Sequence, residues 1–241
     1  MHRPLVISHR TQMGTMPENT LAGIDAAIEG GADGVEIDVR ATADGELVLL
    51  HDASLARTTD GGDRALREVT LEELRGVRVL DSRGAVGEQP VPTLAEAMDQ
   101  IDGRALFVIE LKEAGLEERV ASLIRSRGAA EWCWIWSFDP GVVAASRAAM
   151  PEVPAWLTFS EPSLSRYEIG DPFEMAPRLG AAGVSVRQDL VTAELVERAR
   201  RRGLLVATWT VNEPESLVRV RDAGVDAICG DFPDRTIAAL G

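Results

Sequence analysis

The chain has 241 residues, 45% of them hydrophobic, enough to build one large α/β domain or two small ones. Its 39 acidic and 25 basic residues leave a net charge of −14, which disfavours binding to a nucleic-acid backbone or an anionic membrane. Any phosphate-bearing substrate must then meet a locally positive site made of a metal ion, Arg or Lys.

In chain order, Met1-His2-Arg3-Pro4 leads into a run too short for a signal peptide or a membrane span, so the sequence reads as cytoplasmic. Strand-like runs follow at Leu5–Ser8, Gly34–Val39, Leu47–His51, Ala105–Leu111, Cys133–Phe138, Ala155–Phe159, Gly183–Arg187, Leu204–Thr210 and Val225–Cys229. Amphipathic helical stretches lie between them at Thr20–Glu29, Thr93–Ile101, Glu117–Arg127, Gly141–Ala149, Ala193–Arg202 and Glu213–Ala223. This is the alternation of βα units. Cys133 and Cys229 sit in apolar runs and are expected as buried, reduced thiols.

Nine strand candidates exceed an eight-stranded barrel by one. Asp44-Gly45, between Val39 and Leu47, is a hairpin-turn signal. A turn centred there opposes residues whose numbers add to 89, so Asp38 faces His51. The Leu47–His51 run then becomes the returning arm of a hairpin on the second barrel strand, and eight parallel strands remain. Residues 53–92, with Arg57-Thr58-Thr59-Asp60-Gly61-Gly62, a short helical pattern at Leu71–Leu74 and Pro90-Val91-Pro92, read as a loop insertion near the barrel mouth.

The chemistry gathers at strand ends. Glu36 and Asp38 stand two apart on a strand and share a face. Paired carboxylates repel unless a cation neutralises them, and oxygen ligands favour Mg²⁺, Ca²⁺ or Mn²⁺ over zinc. Glu110 is a natural third ligand, and Lys112 shares its face. Taken singly these acids only pair with Arg40 or Lys112; taken together they form a site, because barrel active sites lie where strands end. His9 and His51 suit a general acid and a general base. His2 reads as bland. Arg10 and Lys112 are cationic donors fit for a phosphate. Pro17-Glu18-Asn19-Thr20 offers an N-cap in Asn19 or Thr20, with Asn19 or Glu18 also able to brace His9 or Arg10. Trp209 either walls a substrate pocket or packs in the core. Trp132, Trp134 and Trp136 read as packing against helices.

These residues resemble the glycerophosphodiester phosphodiesterase family. The resemblance rests on Ser8-His9-Arg10, Pro17-Glu18-Asn19-Thr20, Gly31-Ala32-Asp33-Gly34-Val35-Glu36-Ile37-Asp38-Val39, Thr42-Ala43-Asp44-Gly45, Leu49-Leu50-His51-Asp52, Arg57-Thr58-Thr59, Ile109-Glu110-Leu111-Lys112, Trp209-Thr210-Val211-Asn212 and Gly230-Asp231-Phe232-Pro233. They occur in the family's order and span nearly the whole chain. The resemblance implies a (β/α)8 TIM barrel, a single domain over 1–241, that cleaves glycerophosphodiesters to glycerol 3-phosphate and an alcohol. It implies His9 and His51 as the catalytic pair, and Glu36, Asp38 and Glu110 as ligands of one divalent cation, Mg²⁺ or Ca²⁺ with Mn²⁺ as a further option. It also implies Arg10 and Lys112 as phosphate contacts and Trp209 beside the substrate.

Two positions depart from the family's pattern. Thr11 replaces the usual Gly after His-Arg, which is expected to narrow the pocket or alter how its loop approaches the metal. Gly230 replaces a common Thr before Asp231. The insertion after His51 is also short. These departures bear on substrate identity more than on activity. The expected partner is a small glycerophosphodiester, with no nucleic acid and no stable membrane association. A lysophospholipase D or phosphoinositide-cleaving relative would need an exposed apolar helix or a basic patch, and neither is evident. A non-catalytic binding barrel would not need both histidines and all three acids. An aldolase would need a Schiff-base lysine, and Lys112, the only lysine in the chain, suits a phosphate better.

Overall fold

A computed structural model describes residues 3–81, 83–160 and 171–241. The third histidine, His2, lies outside them. Strand β1 (Leu5–Ser8) leads through helix α1 (Leu21–Glu29) to β2 (Gly34–Ala41), which turns back into β3 (Leu47–Leu49). A segment containing α2 (Leu71–Leu74), β4 (Arg78–Leu80) and β5 (Val86–Pro90) intervenes. The alternation resumes with α3 (Leu94–Ile101), β6 (Leu106–Leu111), α4 (Glu117–Ser126), β7 (Cys133–Ser137), α5 (Pro140–Ala149) and β8 (Ala155–Phe159). It ends with α6 (Pro172–Arg178), β9 (Gly183–Arg187), α7 (Ala193–Arg200), β10 (Leu205–Trp209), α8 (Pro214–Ala223), β11 (Ala227–Gly230) and α9 (Pro233–Leu240).

The strands run in the order β1-β11-β10-β9-β8-β7-β6-β2-β3, and β1 also pairs with β2. Eight parallel strands therefore close on themselves with helices outside, the (β/α)8 barrel, and β3 hangs antiparallel on β2. Local chemistry supports the helices. Thr20 caps α1 by accepting from the Gly23 amide, and Thr93 and Glu96 form a reciprocal capping box on α3. Val35, Ile37 and Val39 alternate outward into the layer beneath the helices, so Glu36 and Asp38 must point into the barrel. No helix among the described residues is long and apolar enough to cross a membrane.

Three expectations need correction. First, the hairpin pairs Val39 with Leu49, Arg40 with Val48 and Ala41 with Leu47, so opposed numbers add to 88. The turn holds Ala43, Asp44 and Gly45, closed by the Thr42 amide on the Glu46 carbonyl, with Gly45 at φ +84°. A three-residue turn with a left-handed glycine has displaced the two-residue turn. Asp38 consequently faces Leu50, whose amide donates to the Asp38 carbonyl, and His51 lies one residue beyond the last opposed pair.

Second, only Trp132 packs beneath the helices. Cys133 and Ile135 take that side of β7, so Trp134 and Trp136 turn inward beside Trp156, Val108 and Ile7. Alternation shows that two faces exist, but both faces of a parallel strand are buried. Third, residues 53–92 are more than a loop. The β4–β5 hairpin and Val48, Leu50, Leu55, Leu66, Val69, Leu74, Val77, Val79 and Val91 form a small core of their own. Cys133 and Cys229 are buried and free, as expected.

Candidate functional site

Glu36 and Asp38 end the inward face of β2. The parallel register sets Asp38 beside Glu110 of β6. All three are buried, and one oxygen from each lies within 4.8 Å of the others. Burial, then repulsion by Asp38 and Glu110, pushes the Glu36 carboxyl well above the usual range. Burial would raise Asp38 as well, but Lys112, Arg10 and His51, with a hydrogen bond from Asn19, hold it below its ordinary value. Buried, crowded oxygen donors of this kind fit a hard divalent cation.

Cations frame the carboxylates. Lys112 Nζ is 2.5 Å from Glu110 and 3.2 Å from Asp38. Arg10 sits in the β1–α1 loop at φ +46°, where its amide donates to Glu36 Oε2 at 2.8 Å and its Nε lies 3.5 Å from Asp38 Oδ2. Asn19, also left-handed at φ +57°, holds Asp38 twice. Its Nδ2 donates to Oδ2 at 2.8 Å, and its Oδ1 accepts from the Asp38 amide at 3.0 Å. Asparagine tolerates that backbone region better than most residues.

Each histidine is backed by an aspartate. His9 Nδ1 lies 2.7 Å from Asp231 Oδ1, and Asn212 Nδ2 donates to Asp231 Oδ2 at 2.6 Å. His51 Nδ1 lies 2.6 Å from Asp52 Oδ1. With Nδ1 occupied, Nε2 is the ring nitrogen left to each of these two cleft-lining histidines. Burial is the largest effect on His51 and leaves its pKa below the ordinary histidine value. Asp231 stays below the usual range: burial would raise it, but the hydrogen bonds from His9 and Asn212 outweigh burial.

One cleft is lined by His9, Arg10, Glu36, Asp38, His51, Glu110, Lys112 and Trp209, joined by Trp136, Phe138, Thr158 and Cys229. All eight site residues singled out in the sequence therefore meet. Trp209 stands edge-on to Phe138, with ring centres 5.4 Å apart, and walls one side. Thr11 does not narrow the cleft. It is wholly buried at φ +73°, with its side chain turned toward Gly23 of α1. Gly230 is required by a close approach, since a Cβ there would lie 2.3 Å from the Val211 carbonyl oxygen. Sequence reasoning left Asp231, Asn212 and Asp52 without roles. Asp231 is 222 residues from His9 and reaches it only because β11 closes on β1. The signal for Asp52 was its adjacency to His51.

Fold and cleft together define a (β/α)8 barrel with buried carboxylates, two aspartate-backed histidines and two cationic side chains gathered at one site. The glycerophosphoryl diester phosphodiesterase family model matches residues 9–235. The glycerophosphodiester phosphodiesterase of Caldanaerobacter subterraneus subsp. tengcongensis is 33% identical, over 98% of this chain and 97% of that protein. A putative glycerophosphoryl diester phosphodiesterase from Silicibacter pomeroyi superposes with a TM-score of 0.89 at 29% identity, over 98% of this chain and 93% of that one. An Oleispira antarctica phosphodiesterase in complex with its product sn-glycerol-3-phosphate superposes at 0.85, with 29% identity, over 98% and 96%. The chain belongs to the glycerophosphoryl diester phosphodiesterase family.

Proposed function

We propose that the protein hydrolyses glycerophosphodiesters to glycerol 3-phosphate and an alcohol, with one divalent cation and with His9 and His51 as the acid–base pair. The buried Glu36–Asp38–Glu110 cluster at the foot of a cleft holding both histidines carries this proposal. Mg²⁺ and Ca²⁺, then Mn²⁺, match the all-oxygen donor set. Bound there, the cation would supply Lewis-acid stabilisation of charge on the phosphoryl group.

The chain's own groups do the rest. Arg10 and Lys112 hold phosphate oxygens in place, and both are kept cationic by their neighbours. Burial works against the charge on each, but Asp38 and Glu18 for Arg10, and Glu110 and Asp38 for Lys112, more than compensate. One histidine takes a proton from the nucleophilic hydroxyl through Nε2, and the other gives a proton to the leaving alkoxide. Each transfer contributes on the order of 10²–10⁴-fold. The nucleophile is either the neighbouring glycerol hydroxyl, giving a cyclic phosphate that water then opens, or water itself. Asp231 and Asp52 fix the ring orientations. Trp209 walls the substrate side.

The test is release of glycerol 3-phosphate from a panel of glycerophosphodiesters, first in chelator and then with each cation. Release is expected only with a cation, and His51→Ala is expected to abolish it while leaving fold and cation binding intact. A His51→Ala protein that kept a tenth of the wild-type rate would remove His51 from the chemistry.

A further inference from the structure

Arg57 comes from the insertion rather than from the barrel, and it holds two carboxylates at once. Its Nε donates to Asp52 Oδ2 at 2.5 Å. Its terminal nitrogens donate to Glu18 Oε2 and Oε1, each at 2.8 Å. The other oxygen of Asp52 faces His51 Nδ1 at 2.6 Å, and Glu18 Oε1 also accepts from Arg10 at 3.3 Å. One guanidinium thus joins two short chains, one ending at a histidine of the cleft and the other at its arginine.

The local fold fixes the base of this side chain. Leu55 is wholly buried in the insertion's core, and its carbonyl accepts from the Thr59 hydroxyl at 2.6 Å. The Thr58 carbonyl accepts from the Leu80 amide at 2.8 Å, which ties the segment to β4. The Arg57-Thr58-Thr59 motif is therefore a mount: the threonines anchor the turn and the arginine projects from it. The Arg57 side chain is 46% exposed, and an ordinary ion pair so exposed contributes little. Glu18 is only 8% exposed, however, and the planar fork meets it with two parallel hydrogen bonds.

We propose that Arg57 is a positioning residue that holds the His51 ring, through Asp52, and the Arg10 guanidinium, through Glu18, in one frame. The inference rests on the roles given above to His51 and Arg10. Without Arg57, Glu18 keeps Arg10 as its one ion-pair partner among the described residues and draws that guanidinium away from the phosphate. Asp52 is at the same time released to rotate away from His51. A lysine cannot replace the fork, because three donors in one plane must serve two carboxylates.

The experiment compares Arg57→Ala, Arg57→Lys and His51→Ala in steady-state hydrolysis of a glycerophosphodiester, with thermal melts to confirm folding. Losing charge-assisted hydrogen bonds of this kind is expected to lower kcat roughly 10- to 100-fold in R57A. R57K is expected to stay within a few-fold of R57A. Millimolar guanidinium ion is expected to restore part of the R57A rate and to leave wild type unchanged, which a scaffold role would not produce. Wild-type kcat in R57K, a folded R57A within threefold of wild type, or no recovery with guanidinium would each overturn the proposal. Should R57A fail to fold, Glu18→Gln probes the same clamp from its other end, with a tenfold or greater loss expected and less than threefold refuting. An active H51A would undo the proposed chemistry itself, whereas an inactive H51A beside an active R57A would remove only the positioning role.

Discussion

Replacing Glu36 by Gln separates a cation site from a merely polar cluster. Glu36 is 2% exposed and crowded by Asp38 and Glu110, and burial is the largest reason its carboxyl lies well above the usual range. In chelator, between the ordinary glutamate range and that raised value, the folded protein holds a proton there that the unfolded chain has released. Glu36 therefore contributes stability that is fully present below the ordinary glutamate range and is lost as pH rises through the raised folded value. A bound divalent cation would reverse the loss. At a hundred times its Kd it adds about 2.7 kcal/mol, or roughly 5–11 °C in Tm for a chain of this length. Glutamine preserves the shape and can still accept from the Arg10 amide, which donates to Glu36 Oε2 at 2.8 Å. In calorimetric melts at pH 8 with chelator, E36Q should melt at or above wild type, because the buried ionisable group and its repulsion by Asp38 and Glu110 have gone. With Mg²⁺, Ca²⁺ or Mn²⁺ added, wild type should shift upward and E36Q should hardly move. A wild type that fails to shift with any of the three cations, or an E36Q that shifts as far as wild type, would refute the assignment.

Asp231→Asn replaces the carboxylate 2.7 Å from His9 Nδ1 with an amide able to offer the wrong hydrogen-bonding group. A loss of roughly 10- to 100-fold in kcat is expected with the fold intact, and a steady-state rate above a third of wild type would show that His9 needs no such partner. Gly23→Ala in α1 should cost about 1–3 kcal/mol by overpacking, since a Cβ there would lie 2.1 Å from Thr11 Oγ1, although Gly→Ala normally favours a helix. Thr11→Gly should relieve most of that cost in the double variant without changing kcat, and additive melting shifts would show that the two positions do not touch.

Period-two and period-3.6 patterning was enough to find every barrel strand, because each βα unit is local. It also found the carboxylate pair, since Glu36 and Asp38 must share a face whatever the rest of the chain does. Long-range registers were not legible. Asp38 meets Glu110 through the β2–β6 register, and Asp231 meets His9 through closure of the barrel. The hairpin shows the limit most clearly. Asp44-Gly45 marked the turn, but whether two or three residues form it depends on the Thr42–Glu46 pair, and one residue shifts every opposed pair. His51 still reaches the cleft, because it lies beyond the paired residues and is held by its own contacts. One is the hydrogen bond its carbonyl accepts from Arg40 Nε. Helices α6 and α9 escaped notice although Pro172 and Pro233 each stand at a helix start. Asp171, whose side chain accepts from the Phe173 amide, was a capping signal in plain view.

The charge balance of the cleft explains why an acidic protein can act on an anion. Where the phosphate would sit, the three carboxylates outnumber Arg10 and Lys112 by one. Farther out, Arg57 offsets one of the two charges of Asp52 and Glu18, so the surroundings add to that excess rather than relieve it. Without a cation the cleft offers a phosphodiester no net positive field, and the surface, with its net charge of −14, repels it. On the proposed assignment, a divalent ion leaves one positive charge among Glu36, Asp38, Glu110, Arg10 and Lys112, opposite in sign to the one charge of a diester. The cluster then has two effects from one cause. Crowding raises the cost of the empty carboxylates, and occupying them creates the local field that the rest of the surface denies to the substrate.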